Sequence, residues 1–190
     1  MRIDARKART LLPRILAAAT RLFVEKGVEG TTTRAIAEAA GVAEGTLYRH
    51  FRSKDELAFT LYRENLDELT DRLFAALQPD RPLRANLEAL IRVIFTSYEE
   101  EPMLSRFVLF SQFQQLRRLP RDYRFPSDAF RTALAPTAAK RGWSEEGLAL
   151  TTALVFGGVM RCIVFRIYNE LPDLRTLVVE TARRLERLAR

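Results

Sequence analysis

The sequence predicts an all-α protein with a small helix-turn-helix head and a larger helical body. Apolar residues recur at helical spacing through most of the 190 residues. Eight glycines and eight prolines are too few for a loop-rich β protein, and most of them punctuate the periodic runs. The basic charge is concentrated at one end. Residues 1–55 hold eleven basic and six acidic side chains, so they carry +5 of the net +7. Such an asymmetry points to an anionic partner at the head.

The elements follow in order. Ile15, Leu16, Ala19, Leu22 and Phe23 stripe one face of a first helix. Pro13 suits its first turn, and Gly27 ends it. Thr31, Thr32 and Thr33 offer hydroxyls to cap free amides at the start of a short second helix, whose inner face is Ile36, Ala37 and Ala40. Gly41 permits the left-handed backbone of a tight turn, Val42 plugs inward, and a third short helix runs through Leu47 to His50. Ala43 provides no side-chain cap for it. Ser53-Lys54-Asp55-Glu56 reads as a capping box opening a long fourth helix with Leu57, Leu61, Leu66, Leu69, Leu73 and Leu77, closed by Pro79 and Pro82. Further helical patterns cover 83–100, 103–116, 127–141, 144–169 and 173–190, and Pro136 is expected to kink or split the third of these.

Composition excludes several chemistries. One Cys and one His supply neither a disulfide framework nor a metal-ligand cluster, so no metal and no cofactor is expected. Cys162 lies in an apolar run and reads as a small buried hydrophobe. The one G-x4-G, Gly142 to Gly147, is followed by Leu148 where a phosphate loop needs Lys. No nucleophile and base pair is available either, so the chain is not expected to be an enzyme. The N-terminus lacks the apolar stretch of a signal peptide, and the charge-free run 147–160 is 14 residues, too short to span a bilayer. These features point to the cytoplasm and to no membrane partner. A basic helical protein resting on anionic lipid is the competing reading, although its head would then need an exposed aromatic face.

Two short helices joined by a glycine turn have the geometry that places a second helix in the DNA major groove. The residues carry the point further. The pattern Phe23-x3-Gly27, Thr32-Thr33-Arg34-x-Ile36-Ala37-x-x-Ala40-Gly41-Val42, then Gly45-Thr46-Leu47-Tyr48-x-His50-Phe51-x-Ser53-Lys54-x-x-Leu57 resembles the N-terminal domain of TetR-family transcriptional regulators over about 50 residues. The resemblance implies a DNA-binding domain over residues 1–56, with the motif at about 32–51, and an effector-binding and dimerisation domain over 57–190, with helix 54–78 as connector.

Within that frame Thr32, Thr33, Tyr48 and Lys54 are phosphate-contacting groups, a role the family gives to the positions matching Tyr48 and Lys54. Arg34 can meet guanine bidentately, and Glu44, Gly45, Thr46 and Arg49 are the other groups facing base edges. Two readings stand for Glu44: an acceptor for cytosine N4, or an acid stabilised by the helix macrodipole. His50 either touches phosphate or packs beside Phe51. Leu47, Phe51, Ile36, Ala37 and Val42 are core.

In the body, Phe95, Tyr98, Met103, Phe107, Phe110 and Phe113 form an aromatic stripe that either lines an apolar ligand pocket or is plain core, with Arg106, Gln112 and Gln114 as nearby polar groups. Leu174, Leu177, Val178, Thr181 and Leu185 make a helical seam, and Gly157-Gly158 allows close approach of another helix. The resemblance implies that the last two helices form a homodimer interface; an intramolecular bundle core is the other reading. Together these readings describe a homodimeric repressor that binds double-stranded DNA at an inverted repeat and is released by a small apolar effector.

Overall fold

The computed structural model describes residues 5–78 and 80–189, with side chains from Leu11 onward. The described residues form nine α-helices and no strand, as the periodicity requires. The chain forms two compact units: residues 1–65 with 103–120, and residues 66–102 with 121–190.

The first unit begins with α1, Ala5–Lys26, which buries Ile15, Ala18, Ala19, Leu22 and Phe23. Gly27 ends it at φ 72°, its amide bonded to the Phe23 carbonyl at 3.0 Å. Pro13 lies inside this helix, not in its first turn, because the helical backbone already starts at Ala5. An interior proline removes one hydrogen bond, a cost this helix carries. Thr31 also departs from expectation. Its buried hydroxyl donates back to the carbonyls of Leu22 and Gly27 at 3.2 and 2.7 Å, satisfying the end of α1 and no amide of the next helix.

Thr32 caps α2, Thr33–Ala40, by accepting from the Ala35 amide at 3.1 Å, and Gly41 closes it at φ 63°. A Cβ on Gly41 would lie 2.6 Å from a guanidinium nitrogen of Arg14 as well as straining the backbone. Helix α3, Glu44–His50, starts after Ala43 without a side-chain cap and buries Leu47. Helix α4, Lys54–Ala76, opens on the forward half of the predicted box, the Glu56 amide donating to Ser53 Oγ at 3.1 Å; the Glu56 carboxylate reaches one residue past the cap and accepts from the Arg52 amide at 2.6 Å. Pro79, expected to help close it, lies outside the described residues. Helix α6, Pro102–Gln115, completes the unit from Met103 onward. Its Phe107 stacks on Phe23 with ring centroids 5.6 Å apart.

The second unit is organised around α5, Leu83–Glu100, which buries Leu87, Leu90, Ile91, Ile94, Phe95 and Tyr98 and packs on α7 and α9. Helix α7, Pro126–Arg141, runs unbroken through Pro136, contrary to the expected split. Pro126 occupies its first turn, where no amide partner is needed, and Gly142 closes it at φ 66°. Ser144 caps α8, Glu145–Ile167, by accepting from the Gly147 amide at 3.1 Å. The left-handed residue Asn169, φ 60°, follows its end. The predicted terminal helix begins as a 3-10 turn, Leu174–Leu177, before α9, Val178–Leu188. Glu99 holds this corner together. It accepts from Arg166 Nε at 2.9 Å and from the Leu174 amide at 3.0 Å.

Candidate nucleic-acid interface

The short α2–turn–α3 segment divides cleanly by polarity. Ile36, Ala37, Ala40 and Leu47 are buried, whereas Thr32, Arg34, Gly45, Tyr48, Arg49 and His50 are exposed and Thr33, Glu44 and Thr46 half-buried. Every sequence-chosen contact residue on α2 and α3 therefore reaches solvent on this one segment. Tyr48 is 52% exposed, unusual for a large aromatic whose ring could have entered the core.

Hydrogen bonds preset these groups. Thr33 Oγ1 donates to Glu44 Oε1 at 2.6 Å and lies 3.2 Å from Tyr48 Oη. Arg34 Nε donates to Glu38 Oε1 at 3.0 Å, and this pairing raises the guanidinium pKa further, so the cation is secure. An Arg49 guanidinium nitrogen donates to Thr46 Oγ1 at 3.0 Å. The His50 ring lies tilted beside Phe51, centroids 6.4 Å apart, but is itself exposed. Glu38 is a participant the sequence reading missed. Its position four residues after Arg34 on a helix was the available signal.

Lys54 is placed differently from a free phosphate contact. Its ammonium donates to the carbonyls of Val28 and Glu29 at 2.9 and 3.0 Å and lies 3.8 Å from the Glu29 carboxylate. It thereby ties the start of α4 to the turn after α1, with one donor left over.

The aromatic stripe separates between the two units. Phe95 and Tyr98 are buried in the second. In the first, Phe107 is buried, Met103 is half-buried, and Phe110 and Phe113 are exposed, Phe113 by 78%. Phe107 and Phe110 line a cleft of about 240 Å³ with Phe23, Val28, Ser111 and Gln114. On the same helix Arg106 Nε is enclosed and has no acceptor among the described residues.

The seam residues Leu174, Val178 and Leu185 are buried within the second unit, and Leu177 and Thr181 are half-buried. A Cβ on Gly158 would meet Leu185 Cδ2 at 3.2 Å, so this glycine serves the packing of α8 on α9. Gly157 faces open space. The outer face of α8 is apolar at Leu150, Leu154 and Gly157, with Leu150 63% and Leu154 55% exposed, and one turn further on it carries Arg161, whose guanidinium lies 5.1 Å from the Phe165 ring centroid. The sequence reading measured only the charge-free run of α8. The whole helix is 23 residues, with mean hydropathy 2.0 in its most apolar window, and is by length and composition long enough to cross a membrane. Its other face packs inward through Leu148, Thr152, Val155, Val159 and Ile163. Cys162, half-buried there, has its thiol pKa pushed up by burial and so stays protonated.

Comparison with known proteins places this segment. Residues 15–61 match the family described as bacterial regulatory proteins, tetR family. The HTH-type transcriptional repressor KstR2 of Rhodococcus jostii is 41% identical over 85 residues, 45% of this chain and 40% of the relative. The matched region thus spans about two-fifths of the length of such curated relatives. Among solved structures, the TetR-family transcriptional regulator PfmR from Thermus thermophilus superposes with TM-score 0.75 at 23% identity, covering 92% of this chain and 97% of that one. The transcriptional regulator FadR from Bacillus subtilis in complex with stearoyl-CoA gives 0.68 at 18% identity, covering 92% and 97%. These likenesses extend the shared fold over the body as well.

Proposed function

By its N-terminal domain the chain belongs to the TetR family of bacterial regulatory proteins, and from that premise we propose that it is a cytoplasmic, homodimeric, sequence-specific repressor of transcription. The observation that carries this reading is the polarity of α3. Its buried face is Leu47, while Gly45, Tyr48, Arg49 and His50 project to solvent beside Thr32 and Arg34 of α2.

In this reading α3 enters the major groove and α2 crosses the backbone. Tyr48, Thr32 and Thr33 contact phosphates, joined by the spare donor of Lys54, and set the register. Arg34 and Arg49 each offer a fork for guanine O6 and N7, whose cost of release from Glu38 and Thr46 is small at an exposed site. Gly45 lets the backbone approach a thymine methyl. Two copies then read half-sites about 34–36 Å apart.

The exposed α8 face supplies the place for the second copy. Leu150, Leu154, Gly157 and Phe165 recur at helical spacing, and the open space over Gly157 admits a facing helix closely. The buried seam of α9 supports α8 from behind. A small, largely apolar effector binding in the body would shift the half-site spacing through a coupling of about 1–3 kcal/mol. On α6, which packs in the N-terminal unit, the unpartnered Arg106 Nε offers a donor to any effector that carries an acceptor group.

The test is selection of random duplex DNA by the purified protein at about physiological salt, with sedimentation measured in parallel. Enrichment of an inverted repeat by a dimer is the expected result. A monomer without sequence enrichment, or an affinity insensitive to salt, would overturn the proposal.

A further inference from the structure

Two hydroxyls on the exposed α2–α3 segment, those of Thr33 and Tyr48, form a chain that ends on a carboxylate. Glu44 and Tyr48 stand four residues apart on one face of α3, and Thr33, the first residue of α2, lies between their polar ends. Thr33 has one hydroxyl proton, which it donates to Glu44 Oε1 at 2.6 Å, a charge-assisted bond. The 3.2 Å contact between Thr33 and Tyr48 must then have Tyr48 donating into Thr33 Oγ1. Both protons run inward along one chain, from Tyr48 to Thr33 to Glu44. A DNA phosphate only accepts, so each hydroxyl must turn its proton away from this chain before it can bind backbone.

We propose that Glu44 is a specificity-determining residue that acts against wrong sequences. Its carboxylate takes the Thr33 proton directly, in the place of a phosphate, and the Tyr48 proton follows through Thr33, so a duplex that binds Thr33 has to displace the carboxylate. Once displaced, a carboxylate beside phosphates and base edges is repelled, unless a donor such as cytosine N4 receives it. A correct site returns the lost bond and an incorrect one does not. Glu44 thus lowers affinity for DNA in general more than for the operator. The inference rests on the DNA-binding role proposed above.

The experiment is a cycle of E44Q, T33V and the double variant, measured on a random-sequence duplex and on the duplex enriched by selection, with thermal melting as a check on folding. The E44Q single variant is expected to bind random duplex about fivefold to tenfold more tightly, with the ratio of selected to random affinity falling by up to that much. In the T33V background the hydroxyl relay is already broken, so E44Q should gain only the smaller increment of a removed charge, and the two substitutions should be non-additive. Equal gains in both backgrounds would overturn the inference and leave Glu44 as a simple repulsive charge. A selected-to-random ratio that E44Q leaves unchanged would overturn it too. If the unaltered protein bound no duplex at low salt, the failure would lie with the DNA-binding reading itself.

Discussion

Lys54 and Val28 are joined across 26 positions of sequence by a 2.9 Å hydrogen bond from ammonium to carbonyl, and Glu29 adds a second acceptor at 3.0 Å. The first residue of α4 thereby holds the turn that follows α1. By sequence alone the same residue reads as a phosphate contact, so its structural work is separable from its binding work. K54M is expected to lower stability by about 1–2 kcal/mol, the worth of hydrogen bonds from a mostly enclosed charged donor. Denaturant unfolding without DNA measures that loss, and an unchanged midpoint would reduce Lys54 to a binding residue only.

Phe107 brings α6 into the N-terminal unit. It is buried and stacked on Phe23, so its truncation leaves a cavity against α1. F107A should cost about 3–5 kcal/mol. F110A, which removes an exposed ring from the same helix, should change stability by less than about 1 kcal/mol. Chemical denaturation of both variants decides the matter, and equal losses would contradict the burial described.

The corner after α8 predicts an acid dependence. Asp173 is held at a pKa of about 2, below its ordinary 3.8, chiefly by the Arg175 side chain bonded to it. A carboxylate whose folded pKa is depressed adds stability that is present above the unfolded value and lost as pH falls through the folded one. The melting temperature of D173N should therefore lie below that of the unaltered protein at neutral pH. The gap should hold down to about pH 4 and close between there and about pH 2. A gap that persists at the acid end would mean that the asparagine perturbs the turn for another reason.

The open face of α8 predicts the effect of a charge there. Leu154 is exposed in the single chain and lies on the face proposed for the partner helix. L154R should leave the melting of dilute protein nearly unchanged while weakening self-association by about 2 kcal/mol or more, roughly thirtyfold. Sedimentation equilibrium reads it directly. A monomer that was already the only species before substitution would remove this face from the interface.

Much of the head was legible because its signals are local. Gly27, Gly41 and the Ser53–Glu56 box act within four residues of the bonds they make, and the structure places each at a helix end. The failures have the same origin in reverse. Thr31 reads by sequence as a cap for a following amide, but its partners lie behind it, at Leu22 on α1 and at Gly27 just past the end of that helix. Pro13 suits a first turn and Pro136 a kink or split by sequence alone, yet the helix at each is continuous, because one lost hydrogen bond does not outweigh the rest of a packed helix. On α8, apolar residues on nearly every face concealed which side was packed: Val155 and Val159 are buried while Leu150 and Leu154 are not.

Periodicity and capping residues were sufficient to specify an all-α chain, its helix order and the two short helices proposed to meet DNA, since those features depend on neighbours three or four positions away. Tertiary structure alone decided that Lys54 would hold the 28–29 turn, that Thr33 would spend its proton on Glu44, that Phe107 would join the N-terminal unit, and which side of α8 stays open. Each of those depends on atoms brought together from distant parts of the chain, and a pattern along one helix says which face is apolar without saying what covers it.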